Sequence, residues 1–574
     1  MQDPSERAAF APSFERDAYT EEEQWLLAPF FTNLNESVYV PLVVSPEVIG
    51  ALCSRTSRAA GDLRLVFLSE YVRPFLSSER EKGETEEAWV QRQTTGTELR
   101  SFIEFLHQHP LERIFNNPRA RSFYNKWLAQ YGDDSIAQMA GMHLVFSSLS
   151  QIAIKHFEDQ RIGLAPIEKS TRYVNYASKV NGQYRYYTDP TLKRLGLEEA
   201  YREALDGLFE TYVDLLPRLS AWLAARFPEE KASVVEKKAF DTLRGLLPVA
   251  TLSQVAFFGN GQAFEHLINR SAHHPLGEIR WLAARADEEL SRIAPAFLRR
   301  LKDQSKQELV RAYQEFLAGK GERLRPLVHD QLQHADAGLG ATCVRLVEYD
   351  PQGQDKVIAG MLYGAPNMRA SWNEVFDHVR TLSTEEKRSM MRAYLAGRTA
   401  RWQKVGRAFE HAYVRFEIEM NIGGWRDLQR HRMLTQQRQQ FTCSWGYDLP
   451  AEVTEAGLEP AFRAAIQRAE AVQQRIAAHD LDLAQYAVTL AHRVRFMQWM
   501  NLRECFWEME LRTIPEGHPD YRRVEQEKFR LLSQVYPLIA EQMQVNMSEY
   551  DFARRGQEEK VQTKLEELEL VKVP

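Results

Sequence analysis

A long stretch of this chain occurs twice. Residues 243–280 read LRGLLPVATLSQVAFFGNGQAFEHLINRSAHHPLGEIR, and residues 484–523 read AQYAVTLAHRVRFMQWMNLRECFWEMELRTIPEGHPDYRR. Asn260 and Asn501, Pro275 and Pro519, and Pro295 and Pro537 keep a nearly constant offset of about 241 to 244 residues. Upstream, NESVYVPLVVSPEVIGAL and CVRLVEYDPQGQDKVIAGM form a weaker pair at a larger offset. Two repeats this long are not a solenoid. They predict one domain duplicated in tandem, 1–330 and 331–574, with the boundary in GKGERLRPLVHDQLQHADAGLG.

The 574 residues are ample for two buried cores, and 44% hydrophobic with 26% charged residues is ordinary for a globular protein. A formal net charge of −6 argues against a nucleic-acid coat, though a local basic patch can still hold phosphate. Cys53, Cys343, Cys443 and Cys505 are far apart, which predicts neither a disulfide framework nor a zinc site, and hence no metal. The first residues, MQDPSERAAFAPSFERD, lack the apolar core of a signal peptide, and no apolar run approaches the roughly 20 residues that span a bilayer. The expectation is a soluble cytoplasmic protein with no membrane partner.

Helical spacing dominates. YREALDGLFETYVDLLPRLSAWLAARF and EPAFRAAIQRAEAVQQRIAAHDLDLAQYAV both place apolar residues three and four apart. CVRLVEYD alternates, and YVRFEIEM puts Val414, Phe416, Ile418 and Met420 on one face with Arg415, Glu417 and Glu419 opposite. After Gly423 and Gly424, WRDLQRHR reads as a helix whose last turn holds the cations. QYRYYTDP reads as a strand on the core, and RRGQEEKVQTKLEELELVKVP as a charged helix or tail. The fold class is therefore α+β, helix-rich, with a small, mainly antiparallel sheet in each half.

The cations of RHRMLTQQRQQF (430–441) admit three readings: a nucleic-acid contact, the anion-binding edge of a cofactor site, or a solvated helix end. Arg430 and Arg432 at a helix C-terminus complement the macrodipole, worth about 0.3–1 kcal/mol each. Gln436, Gln437, Gln439 and Gln440 with Arg438 carry groups that could read base edges. No nucleic-acid motif surrounds them, so nucleic acid stays the minor expectation. Arg244, beside Leu246, Leu247 and Pro248, is a partly buried cation that wants an anionic partner. In WMNLRECFWEM, a helix with one polar face accounts for Asn501 and Arg503 nearly as well as a ligand does.

Laid against its sister copy, RHRMLTQQRQQF falls opposite QRIGLAPIEKSTRYV (160–174), and the two fragments together resemble the flavin-dependent thymidylate synthases (the ThyX family). That family carries Arg-His-Arg, seven residues, then Ser-x-Arg-Tyr with a Glu two positions before the Ser. The second half keeps the front end, Arg430-His431-Arg432, but has Arg438, Gln440 and Thr442 for the glutamate, serine and second arginine. The first half keeps the back end, Glu168, Ser170, Arg172 and Tyr173, with Gln160, Arg161 and Ile162 where Arg-His-Arg belongs. GRAFEHAYVRFEIEM and GDDSIAQMAG resemble the family's entry to that element. MNLRECFWEMELR resembles its Asn-x-Arg helix, giving Asn501, Arg503 and Arg512, and Arg244 resembles an arginine before Leu-Pro. The first copy has Asn260 but Gln262 for that helix's first arginine.

The resemblance implies an enzyme, a flavin-dependent methyltransferase that reductively methylates dUMP to dTMP. FAD reduced by NADPH supplies hydride to the uracil ring, and methylene tetrahydrofolate supplies the carbon. Arg430, His431, Arg432, Asn501 and Arg503 would bind the flavin; Glu168, Ser170, Arg172, Tyr173 and Arg244 would bind dUMP; Arg512 and Arg430 would be catalytic. Ser170 would position substrate, not attack it. Arginine's planar fork grips phosphate bidentately, and cations near a flavin favour its anionic reduced form. The implied assembly is a homodimer forming a pseudo-tetramer. One composite site takes these two sets, and the opposite one, with Gln160, Arg161, Ile162, Gln440 and Thr442, is inactive. The family's flavin-reaching histidine falls near Val405 and Asp133, neither of which is an imidazole. The alternative is a relative that binds a nucleotide or RNA without synthase activity, or that transfers a different one-carbon group to a uracil nucleotide.

Overall fold

A computed structural model describes residues 7–552 apart from 44, 60, 112, 114–116, 125, 127–133, 161–162, 299–300, 302–303 and 333–339. The C-terminal RRGQEEKVQTKLEELELVKVP therefore lies outside the described residues.

Each half of the sequence builds one four-stranded antiparallel sheet. The first contains β1 (Val38–Tyr39), β2 (Gly141–Ser150), β3 (Leu164–Glu168) and β4 (Leu252–Asn260), in the order β1-β2-β4-β3. The second contains β5 (Cys343–Tyr349), β6 (Tyr413–Asn421), β7 (Leu434–Arg438) and β8 (Arg493–Asn501), in the order β5-β6-β8-β7. The two topologies are the same, so the repeat in sequence is a repeat in fold, of the α+β kind. The weak upstream pair is part of it: β1 and β5 each pair with the next strand and each precedes a helix, Pro46–Thr56 and Gly353–Tyr363.

In both sheets the last strand slots between two earlier ones that a short helix connects. Helix α1 (Gln151–Glu158) joins β2 to β3, and β4 lies antiparallel between them. Strands that run parallel need such a crossover. The side-chain period of two sets the inward face: Val414, Phe416, Ile418 and Met420 are all fully buried. The two long helices also form, α2 (Glu198–Arg226) and, later in the chain, Glu459–Ala477, as do α3 (Gly261–Ser271) after β4 and α4 (Gly353–Tyr363) after β5. QYRYYTDP does not form a strand; two isolated bridges, Val180 with Gln183 and Tyr186 with Thr251, replace it. Its Tyr184, Tyr186 and Tyr187 are nonetheless buried, so core packing holds them without a ladder.

The chain divides into two compact units. Unit 1 is Met1–Val213, Pro248–Ala335 and Gln467–Ala487; unit 2 is Asp214–Leu247, Asp336–Ile466 and Val488–Pro574. Each unit holds one sheet and takes one segment from the other half of the sequence. No helix among the described residues is long and apolar enough to cross a membrane.

Candidate functional site

In unit 1, β3 delivers the Glu-Lys-Ser-Thr-Arg-Tyr stretch to the edge of the sheet. Glu168, the last residue of β3, pairs with Val255 and is buried. Lys155 of α1 places its Nζ 2.8 Å from Glu168 and 2.5 Å from Glu158, all three nearly inaccessible. Beyond Glu168, the Lys169 amide donates to the Gln254 carbonyl at 2.8 Å, and the Ser170 amide to the Ser57 carbonyl at 3.0 Å. Tyr173 and Val174 then donate back to the Ser170 carbonyl, closing a turn. The Ser170 hydroxyl accepts from the Arg172 amide at 3.2 Å, which leaves its own hydrogen to donate. Arg172 is 6% exposed. Glu168 thus sits under the turn as an anchor, and Ser170, Arg172 and Tyr173 form the turn.

In unit 2, Asn421 ends β6 and caps α5 (Ile422–Leu428) by accepting from the Gly424 amide at 2.8 Å. Its amide nitrogen donates to Asp448 at 3.0 Å and to Asp520 at 2.8 Å. Arg244 belongs to this unit. The turn Arg244–Leu246 is pinned by Leu490 and Ala491 amides on the Leu247 and Gly245 carbonyls, at 2.9 and 3.0 Å. A Cβ added to Gly423 would stand 3.3 Å from Arg244 Nε, so the glycine makes room for the guanidinium. Burial pushes the Asp520 carboxyl up, yet His518, the Asn421 amide and Arg244 together hold it below its ordinary value. Arg244 is thus within electrostatic reach of Asp520.

Helix α5 stops at Leu428, so Arg430 and Arg432 are not in its last turn as expected. Two forces end it early. From Leu434 the chain pairs with β8, which makes the glutamine run an edge strand. His431 is also drawn inward and is 4% exposed. Its Nδ1 lies 2.8 Å from Glu504, and its Nε2 accepts from Arg512 Nε at 2.9 Å. Because arginine can only donate, this fixes the tautomer: Nδ1 carries the hydrogen and donates to Glu504. Arg512 also stands 3.8 Å from Asp427 and over the Tyr521 ring.

The other expected flavin residues are differently placed. Asn501 ends β8 and caps α6 (Leu502–Arg512), accepting from the Glu504 amide at 2.9 Å. WMNLRECFWEM is therefore the end of a strand, a cap and a helix, not one continuous helix. Arg503 forms an ion pair with Glu410 at 2.5 Å. Arg430 and Arg432 are exposed, the former 3.9 Å from Asp427. For a flavin carrying a pyrophosphate, the exposed pair Arg430 and Arg432 fits in charge and reach. His431 does not fit as a direct contact, since both ring nitrogens face inward partners.

Behind these residues lies a buried ion cluster that the sequence reading missed. His431, Glu504 and Glu508 bring one ligand atom each within 4.8 Å of one another. A metal would compete with cations already there: Arg512 on His431 Nε2, and Lys528 Nζ 3.2 Å from Glu508 and 3.0 Å from Glu525. Burial and neighbouring Glu508 push the Glu525 carboxyl up to about 8, while Lys528 keeps Glu508 below its ordinary value despite burial. Two carboxylates share one lysine, and they divide into an ionised and a protonated member. The i, i+4, i+8 spacing of Glu504, Glu508 and Arg512 was the available signal.

The residues assigned to the inactive side are divided between the units. Gln160 donates to the Ala263 carbonyl and lines a cavity of about 630 Å³ in unit 1 with Gln138, Asn260, Gln262 and Tyr313. Arg161, Ile162 and Asp133 lie outside the described residues. In unit 2, Gln440 is exposed and Thr442 half-buried, Arg438 lies over the Phe441 ring at 4.2 Å, and Val405 is buried.

Comparison with known proteins gives the family and its relatives. A family model described as thymidylate synthase complementing protein matches residues 79–296 and again 345–538. A UPF0159 protein of Chlamydia muridarum is 32% identical over 549 residues, covering 94% of this chain and 98% of its own length. A UPF0159 protein of Thermoplasma acidophilum is 30% identical, with 74% and 88% covered. A flavin-dependent thymidylate synthase of a Mycobacterium species is 26% identical over 190 residues, 31% of this chain and 70% of that one. Among solved structures, a UMP/dUMP methylase from Streptomyces cacaoi aligns with a TM-score of 0.27 and 15% identity, over 35% of this chain and 93% of that one. Matched once in each half, the chain belongs to the thymidylate synthase complementing protein (Thy1, ThyX) family, in tandem duplicate.

Proposed function

We propose that this protein is a flavin-dependent enzyme that reductively methylates a uracil nucleotide, dUMP to dTMP, with methylene tetrahydrofolate as carbon donor and NADPH as reductant of FAD. The observation that carries the reading is the division of one motif. Unit 1 keeps Glu168, Ser170, Arg172 and Tyr173, and unit 2 keeps Arg430, His431, Arg432 and Arg512. Family membership and the match to a flavin-dependent thymidylate synthase support the same chemistry.

Arg430 and Arg432 would hold the flavin, aided by Arg503 once it releases Glu410. When bound, the flavin supplies hydride. Ser170 donates its hydroxyl hydrogen to the nucleotide, and Arg172 contributes charge for its phosphate. Arg512, fixed by His431, presents a cation that cannot lose its proton, suited to stabilising negative charge on a uracil oxygen. Arg244 would add a further cation for the nucleotide.

A second reading, a nucleotide-binding relative without flavin, has specific support: His431 is turned inward and Arg503 is paired with Glu410. Purified protein decides between them. Yellow flavin released on denaturation, with dTMP formed from dUMP and lost in Arg430→Ala and Arg172→Ala, supports the enzyme. Colourless protein that FAD fails to reconstitute would sink it.

A further inference from the structure

Two arginines outside the motif lie beside the Lys169–Tyr173 stretch, Arg58 at Tyr173 and Arg185 near Lys169, and neither has an ionic partner among the described residues. Arg58 directly follows Ser57, whose carbonyl accepts from the Ser170 amide at 3.0 Å. Its guanidinium lies over the Tyr173 ring, 5.2 Å from the centroid, and it makes no ion pair among the described residues. Arg185 arrives from a different segment. Its carbonyl accepts from the Leu252 amide at 2.8 Å, while Lys169 donates to Gln254, two residues along the same strand. That spacing separates the two backbones by about 7 Å. Arg185 is half-buried, its Nε is shielded from solvent, and that atom has no hydrogen-bond partner among the described residues.

Such a cation is costly to leave beside others. Burial lowers the Lys169 ammonium to about 8, opposed by Asp62, and nearby Arg185 pushes it further down. Lys169 Nζ is otherwise turned to the Gly61 carbonyl at 3.0 Å. The carboxylates that act on Lys169 are engaged elsewhere: Asp62 with Arg64 Nε at 2.9 Å and with Ser147, and Asp17 with Tyr19 at 3.2 Å. Glu168 and Glu158 belong to Lys155. Arg58 at Tyr173 and Arg185 near Lys169 are therefore two guanidinium groups whose counter-charge the described residues do not provide. A guanidinium so placed is matched by a phosphate oxygen pair.

We propose that Arg58 and Arg185 are phosphate-binding residues, which with the Ser170 hydroxyl form a site for the phosphomonoester of a nucleotide. The inference rests on the function proposed above for the identity of the nucleotide, but the anion site is testable without it. The experiment uses the full chain and three probes: inorganic phosphate, dUMP and deoxyuridine. Arg58→Gln, Arg185→Gln and the charge-retaining Arg58→Lys and Arg185→Lys are compared with wild type by calorimetry and thermal melting. Each Gln variant should weaken dUMP about tenfold or more and leave deoxyuridine unchanged. The melting shift given by inorganic phosphate should vanish in the double Gln variant, and the Lys variants should recover part of the dUMP affinity. The site is overturned if dUMP affinity stays within about twofold of wild type. It is equally overturned if deoxyuridine weakens in parallel, or if phosphate gives wild type no shift. Arg58 is exposed, so its replacement leaves the fold intact for the measurement. Phosphate binding through these arginines with no affinity for dUMP would instead strike the proposed function and leave the anion site standing.

Discussion

Each unit buries one lysine with two glutamates, but in different places. In unit 1, Lys155 holds Glu158 and Glu168 at the root of the Ser170 turn. In unit 2, Lys528 holds Glu508 and Glu525, next to the His431–Glu504 pair that orients Arg512. Strand register shows what happened at the equivalent positions. Glu168 faces Val255 as Arg438 faces Phe496, so Arg438 replaces the carboxylate in unit 2. Counting back by the repeat offset of about 241, Ala263, Leu267 and Ser271 stand where unit 2 has Glu504, Glu508 and Arg512. Each copy has thus kept its buried ionic support only under the half of the motif it retains.

The largest test of this contrast removes the lysines. Lys155→Met and Lys528→Met should each cost about 3–5 kcal/mol in denaturant unfolding, because each leaves a buried carboxylate without its cation. Lys155→Met should in addition loosen the Ser170 turn and weaken nucleotide, whereas Lys528→Met should weaken what depends on Arg512. Equal effects of both variants on both ligands would erase the distinction between the units.

A second contrast is between the acids that begin two equivalent helices, Gly277–Ile293 and Pro519–Val535. Glu278 receives hydrogen bonds of 2.7 Å from the Ser150 amide, the Ser150 hydroxyl and Tyr486, all neutral donors, while Asp520 has Arg244 beside it. Burial lifts the Glu278 carboxyl from 4.5 to about 7. The folded state therefore holds its proton where the unfolded chain has lost it. Stability should fall by about 3 kcal/mol as pH rises through this window, fully present below it and lost above about 7. Asp520 is held low, so its contribution has the opposite sign and is lost as pH falls. Glu278→Gln should flatten the first slope in unfolding measured from pH 4 to 8; a slope unchanged from wild type would refute this assignment.

The smallest effect concerns the two caps. Asn260→Ala and Asn501→Ala should each cost about 1 kcal/mol, since each side chain satisfies one helix-terminal amide. If Asn501 also serves a flavin, its variant alone should lower flavin affinity beyond that stability loss.

Much of this was legible in the sequence. The duplication, the sheet in each half and the inward face of β6 follow from repeat offset and alternation, which depend on residues close in the chain. The end of α5 did not follow, because Glu504 pulls His431 inward from 73 positions away. The same limit hid the role of Glu168: its Glu-x-Ser spacing matched a substrate motif, but the lysine that buries it lies on α1. Arg185 carries no local signal, since only a shielded Nε with no hydrogen-bond partner among the described residues marks it.

The exchanged segments bear on how the protein is made. Residues 214–247 emerge from the ribosome early yet belong to unit 2, and 467–487 emerge late yet belong to unit 1. The first unit to begin synthesis is thus unable to close until most of the chain exists. Genes cut at the repeat boundary would encode two fragments, each lacking a segment of its own compact unit.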